Sequence, residues 1–181
     1  MMPDGAPDLD RWLPKPSLRV QHARRSSASA EALWRAARAM RLRDAGLLGR
    51  LVQWRIPGTA GTLSFEELFR TQPFVVLEEL ELGLVSGIVG RIWTLRRDYP
   101  ALSSAEDFRD FHASGSARVV FATWAAREPD GGGRLANEVR VQALGTQGRF
   151  GVAAVRPLVR AFHPLIGSEG LLTAVRRAEK G

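Results

Sequence analysis

The sequence predicts an α+β fold: a curved antiparallel sheet wrapped around a long C-terminal helix, with two short helices after the first strand. Three observations carry this expectation. From Pro73 to Leu144 hydropathy alternates with period two over four runs, the mark of strands with one buried face. From Gln147 to Arg177 the period becomes three or four, with Phe150, Ala154, Leu158, Ala161 and Leu165 on one line and Val152, Val155, Val159, Phe162 and Ile166 on another. A helix apolar over more than half its circumference needs a broad apolar partner, and the strand runs are the candidate of sufficient size. Between Ser29 and Val52, two short amphipathic stretches follow a first weak alternation.

Length and composition set the limits. A chain of 181 residues fits one domain, long enough to bury about two thirds of its unfolded surface. With no cysteine, thiolate metal sites, disulfides and cysteine nucleophiles are excluded. The net charge is +7, yet lysine occurs only at Lys15 and Lys180 and the arginines are spread along the whole chain, which reads as a coding preference and disfavours a nucleic-acid footprint. Met1 to Pro16 lacks the apolar segment of a signal peptide. The longest apolar run, Phe150 to Ile166, holds Arg156, Arg160 and His163, so stable membrane insertion is not expected. A cytoplasmic protein is the default expectation.

In chain order, residues 1–16 carry Pro3, Pro7, Pro14 and Pro16 and are expected as a flexible Pro-rich tail, from which Trp12 and Leu13 can pack back. The single domain then runs over residues 17–181. Ser17 to Ala23 places Leu18, Val20 and His22 on one side and Arg19 and Gln21 on the other, a first strand. Ser29 caps a helix with Leu33, Trp34, Ala37 and Met40 on its apolar side, and a second helix is expected from Asp44 to about Val52. Trp54 and Ile56 suggest a brief strand. Ser64-Phe-Glu-Glu67 is a capping box, and Ser103-Ser-Ala-Glu106 a second one.

Phe74 to Leu82 reads as a strand with Phe74, Val76, Glu78, Leu80 and Leu82 on the interior face. A tight turn near Gly83 and Leu84 would return the chain along Val85 to Trp93, pairing Val76 with Arg91 and Phe74 with Trp93. Ala117 to Arg127 and Arg134 to Leu144 form a hairpin closed by Glu128-Pro-Asp-Gly-Gly-Gly133. The expected register sets Val120, Ala122, Trp124 and Ala126 with Leu135, Asn137, Val139 and Val141 inside, and Thr123, Arg127, Arg134, Glu138, Arg140 and Gln142 outside. After Gly145 the long helix begins, bent at Pro157 and Pro164.

Two polar groups stand out against this apolar interior. Glu78 is the acid on its face; it can serve as a general acid or base, or pair with Arg91. Asn137 beside Trp124 can orient a carbonyl or hydroxyl group. Arg118, near the end of the same sheet, can meet a carboxylate. His22, His112 and His163 have no metal-binding spacing, so neither a metal nor another cofactor is expected. Gly83-Leu-Val-Ser-Gly87 has its serine one place too late for a nucleophile elbow.

The element order and the stretches Leu82-Gly-Leu-Val-Ser-Gly-Ile-Val-Gly-Arg-Ile-Trp93, Phe108-Arg-Asp-Phe111 into Gly115-Ser-Ala-Arg118, and Gly-Gly-Gly-Arg-Leu135 into Asn137-Glu-Val-Arg140 resemble an uncharacterised bacterial branch of the START-related polyketide cyclase and lipid-transfer superfamily (SRPBCC). The resemblance covers about Ser17 to Lys180. It implies a helix-grip fold, a curved sheet around the last helix with an elongated apolar cavity between them. The function then expected is binding or carrying a small hydrophobic molecule, such as a lipid, sterol or polyketide-like ligand, lined by Trp93, Val120, Trp124, Asn137, Val139, Phe150, Leu158 and Phe162. An alternative is a cyclase or aromatase-like enzyme moving protons with Glu78 and Arg91. An Arg-rich interaction module is a third. A homodimer is left open.

Overall fold

The computed structural model describes residues 5–45, 62–94, 99–154, 174–176 and 178–179. The chain is α+β, and its described residues form one antiparallel sheet of five strands: β1 (Leu18–Ser26), β2 (Val75–Leu80), β3 (Gly83–Gly90), β4 (Ser116–Arg127) and β5 (Gly133–Leu144), in the order β1-β5-β4-β3-β2. Among the described residues the helices are α1 (Ala30–Ala39), α2 (Phe65–Arg70) and α3 (Ala105–Asp110), with a 3-10 turn at Leu9–Arg11 and another at Leu42–Ala45. Residues 145–154 and 174–176 are helical as well.

Local chemistry sets the helix starts. Ser29 accepts from the Ala32 amide and caps α1 as expected, and the apolar spacing of Ala30, Leu33 and Ala37 turns one side of α1 onto the sheet. The expected capping box of Ser64 and Glu67 opens α2. The box of α3 lies one residue later than expected, on Ser104 and Asp107, because Asp107 rather than Glu106 reaches back to the amide of the cap residue. Where the second helix was expected from Asp44, the chain makes the 3-10 turn Leu42–Ala45; the rest of that helix, Trp54 and Ile56, and Pro157 and Pro164 of the last helix lie outside the described residues.

Both faces of the sheet are covered. On one, Val85, Val89, Val120, Ala122, Trp124 and Ala126 lie under α3 and under the N-terminal segment, whose Leu9, Trp12 and Leu13 are buried. Part of the stretch expected as a tail is therefore packed, as Trp12 and Leu13 allowed. Each of these three side chains contributes about 1.5–3 kcal/mol by removal from water. The Trp12 ring meets Phe108 edge-on and has the guanidiniums of Arg11 and Arg109 at 5.2 and 5.1 Å from its centroid. On the other face, Ile88, Val119, Phe121, Val139 and Val141 lie under α2 and residues 145–154, and Ala125 and Leu135 lie under α1 and residues 174–176. We refer to these as the N-terminal face and the helical face.

The register of the β4–β5 hairpin corrects the expected one. Arg127 pairs with Gly133, not Arg134, so Trp124 stands opposite Ala136 and Phe121 opposite Val139. The connection is one residue shorter than expected, held by the Glu128 amide donating to the Gly132 carbonyl at 2.9 Å. A shift of one residue turns one strand over relative to its partner. Val120 and Trp124 thus share the N-terminal face with Glu138 and Arg140, and Asn137 and Val139 share the helical face with Thr123 and Phe121. Glu138 and Arg140, expected outside, are buried beneath the N-terminal segment.

The β2–β3 hairpin is also corrected. It turns at Glu81 and Leu82, pairs Val76 with Ser86, and carries a bulge between Val76 and Glu78. The extra residue breaks the alternation, so Glu78, opposite Val85, lies on the N-terminal face while Phe74 packs on the helical one. All eight residues of β3 are buried. Gly87 makes room for α3, since a Cβ there would stand 2.6 Å from Cδ2 of Phe108.

Candidate functional site

On the helical face, the strand pattern assembles a short polar patch in an apolar wall. Thr123 is directly opposite Asn137, and Leu84 directly opposite Thr123; one step along, Ser86 is opposite Phe121. Directly opposed side chains on one face have Cβ atoms about 4.5–5.5 Å apart, so Ser86, Thr123 and Asn137 form a diagonal of hydrogen-bonding groups.

Helices α1 and α2 stand over this patch. The Phe65 amide donates to the Met40 carbonyl at 2.8 Å, and Arg41 and Ser64 form an isolated antiparallel bridge, which ties the end of α1 to the start of α2. Phe69 of α2 packs against Phe74 and Phe121, with ring centroids 5.0 and 5.4 Å away, fixing α2 to the sheet. Between sheet and helices lies a cavity of about 70 Å³. Trp34, Ala37, Met40, Phe65, Phe69, Leu84, Phe121, Leu135 and Ala174 give its apolar lining, Ser86, Thr123 and Asn137 its neutral polar groups, and Arg38 and Glu66 its charges. A water needs at least ~10–15 Å³ measured this way, so the space takes several waters or a small head group.

Ser86 is the unusual member. It is 1% exposed, and its Oγ has no hydrogen-bond partner among the described protein groups. A buried hydroxyl left unpaired costs about 1–3 kcal/mol. At the solvent side, Arg38 Nε lies 3.1 Å from Glu66, Arg70 lies 3.3 Å from the other Glu66 oxygen, and Arg70 also binds Glu79. The bond from Arg70 holds the Glu79 carboxyl below the usual glutamate range, and Glu79 in turn raises Arg70.

The residues expected to line one cavity are distributed over the fold. Asn137 lines the cavity described above. Val139 and Trp93 pack in the neighbouring cluster on the same face, Trp93 against Gly151, where a Cβ would run into the indole. Phe150 is 72% exposed. Val120 and Trp124 are on the opposite face, and the buried Trp124 Nε1 has no partner among the described residues. Leu158 and Phe162 lie outside the described residues.

Glu78 and Arg91 do not meet. Glu78 accepts from Trp12 Nε1 at 3.3 Å and has Arg11 at 3.6 Å, beneath the N-terminal segment. Arg91 follows the end of β3, six residues beyond the partner of Glu78, or roughly 20 Å along a strand. Arg118, expected near the sheet end to meet a carboxylate, lies on the N-terminal face; it donates to Gln142 Oε1 and to the Arg109 carbonyl, each at 2.6 Å, and burial lowers its pKa.

Sequence reasoning missed Ser86, Thr123, Arg38 and Glu66. A lone hydroxyl in the otherwise apolar run Leu84-Val-Ser-Gly-Ile88 was the available signal for Ser86. Among the described residues, no group of three or more His, Cys, Asp or Glu side chains is placed to hold a metal ion, and no helix is long and apolar enough to cross a membrane.

No family model matches the chain, and no curated relative matches it. Among solved structures, the chain is similar to a hypothetical protein, jhp0584, from Helicobacter pylori, at 11% identity and a TM-score of 0.46 over 98% of each chain. It is also similar to TTHA0849 from Thermus thermophilus, at 12% identity and a TM-score of 0.33, covering 90% of this chain and 98% of that one.

Proposed function

We propose that the chain binds a small hydrophobic molecule between its sheet and its helices, with the polar end of the ligand on Ser86, Thr123 and Asn137. One observation carries this reading: a fully buried hydroxyl without a partner among the described residues, in the wall of a mainly apolar cavity. A ligand head group would supply the missing hydrogen bond. The resemblance to START-related proteins points the same way, and on this reading the sheet is curved and closed by the C-terminal helix in a helix-grip arrangement.

A cavity of about 70 Å³ holds a head group and not a whole lipid. The ligand body therefore leaves past the half-exposed Arg38–Glu66 pair, and binding widens the gap between α1 and α2. Side chains at that exit are held by surface ion pairs, which cost little to open. Nothing in the placement of Glu78 and Arg91 favours the cyclase alternative.

The test is native mass spectrometry and thermal-shift screening of the full chain with long-chain alcohols, fatty acids, sterols and polycyclic aromatics. A bound species whose amide NMR perturbations centre on Ser86, Thr123 and Asn137 is the expected result. Absence of binding across all four classes would refute the reading.

A further inference from the structure

The cavity's chemistry narrows the ligand class, an inference that rests on the ligand-binding reading above. We infer that the site selects a neutral hydrogen-bonding head group, a hydroxyl or carboxamide, and rejects a carboxylate. Ser86, Thr123 and Asn137 are uncharged, and each both donates and accepts. A hydroxyl or carboxamide on the ligand does the same, so each hydrogen bond formed inside is matched in type.

Charge at the rim is already spent internally. Among the described lining residues the ionised groups are Arg38 and Glu66, 3.1 Å apart. Arg70 joins Glu66 to Glu79, so among the described residues two guanidiniums face two carboxylates and the rim carries no net positive charge. A carboxylate brought to Ser86 would lose its water without gaining a cation from the described lining, where Arg38 is already paired, and the Glu66 carboxylate beside its path would repel it. An alcohol of the same chain length pays no such penalty. His22 of β1 stands opposite Asn137 of β5 but is not among the cavity's described lining residues.

The experiment titrates the full chain at pH 8 with 1-decanol, decanamide and decanoate, each below its micelle-forming concentration, by calorimetry and amide NMR. Decanol and decanamide are expected to bind with perturbations at Ser86, Thr123 and Asn137, and decanoate to bind roughly a hundredfold more weakly. Ser86→Ala is expected to weaken decanol roughly tenfold while its circular dichroism matches wild type. Decanoate binding as tightly as decanol would overturn the head-group inference and leave the ligand-binding reading standing. If Arg38→Met then abolished decanoate binding, selection would belong to the rim guanidinium and not the neutral wall. Failure of all three probes, together with the wider screen, would overturn both.

Discussion

Arg140 donates to the main-chain carbonyl of Leu13 at 3.0 Å, and the same guanidinium holds Asp10 and Glu138. The buried Glu138 is also bound by Arg19 at 2.8 Å. Burial works against the Arg140 charge, yet its bonds to Glu138 and Asp10 more than offset this and raise its pKa. Arg140 is thus the fastening of the N-terminal segment. Arg140→Met should cost about 3–5 kcal/mol in urea unfolding, because it leaves a buried carboxylate short of a partner. Hydrogen exchange at Leu9 to Leu13 should quicken in the same variant, and Glu138→Leu added to it should restore much of the loss.

Ser86→Ala should make the ligand-free protein more stable, by about 1 kcal/mol, since it removes a buried hydroxyl that no described protein group pairs with. Denaturant titration measures this. A loss of stability would mean that the hydroxyl is already satisfied.

Gly87→Ala should destabilise by about 1–3 kcal/mol, because the new methyl would press on the Phe108 ring and lift α3 from the sheet. The two sites touch, so their effects should not add. In a Phe108→Ala background the loss at position 87 should shrink, which a double-mutant cycle reads directly.

Glu67 accepts from the Ser64 amide and hydroxyl, which lowers its pKa below the usual glutamate range. A depressed folded pKa adds stability above the unfolded value, and that stability is lost as pH falls through the folded one. Wild type and Glu67→Ala should therefore differ most near neutral pH, and the gap should close on acidification. Thermal unfolding followed across that range is the measurement, and a gap independent of pH would assign the effect to the helix propensity of the new residue.

The elements that local chemistry dictates were legible in the sequence: the strand runs, the caps at Ser29 and Ser64, and the inward side of β1. What escaped was parity. One residue fewer in the Glu128–Gly132 connection moves Trp124 to the other face from Asn137, and a bulge at Leu77 does the same to Glu78. Neither change leaves a mark on hydropathy, because this sheet is covered on both sides and each parity looks apolar. The covering of the second side came from Leu9, Trp12 and Leu13, three apolar residues among prolines and charges with no period to reveal them. Asn137 marks itself by interrupting an apolar strand face; Ser86 interrupts one too, but the spacing of Gly83-Leu-Val-Ser-Gly87 speaks only to a nucleophile elbow.

Strand β1 pairs with β5, and the segment before β1 docks across β4 and β5. During translation these early residues leave the ribosome with no surface to settle on until more than a hundred further positions have followed. The last hairpin is what recruits them, so the outer side of that hairpin is bare until they arrive. Contacts of such large sequence separation form slowly, and a bulky fusion ahead of Leu9 would delay the closing step, leaving Val120 and Trp124 open to self-association for longer.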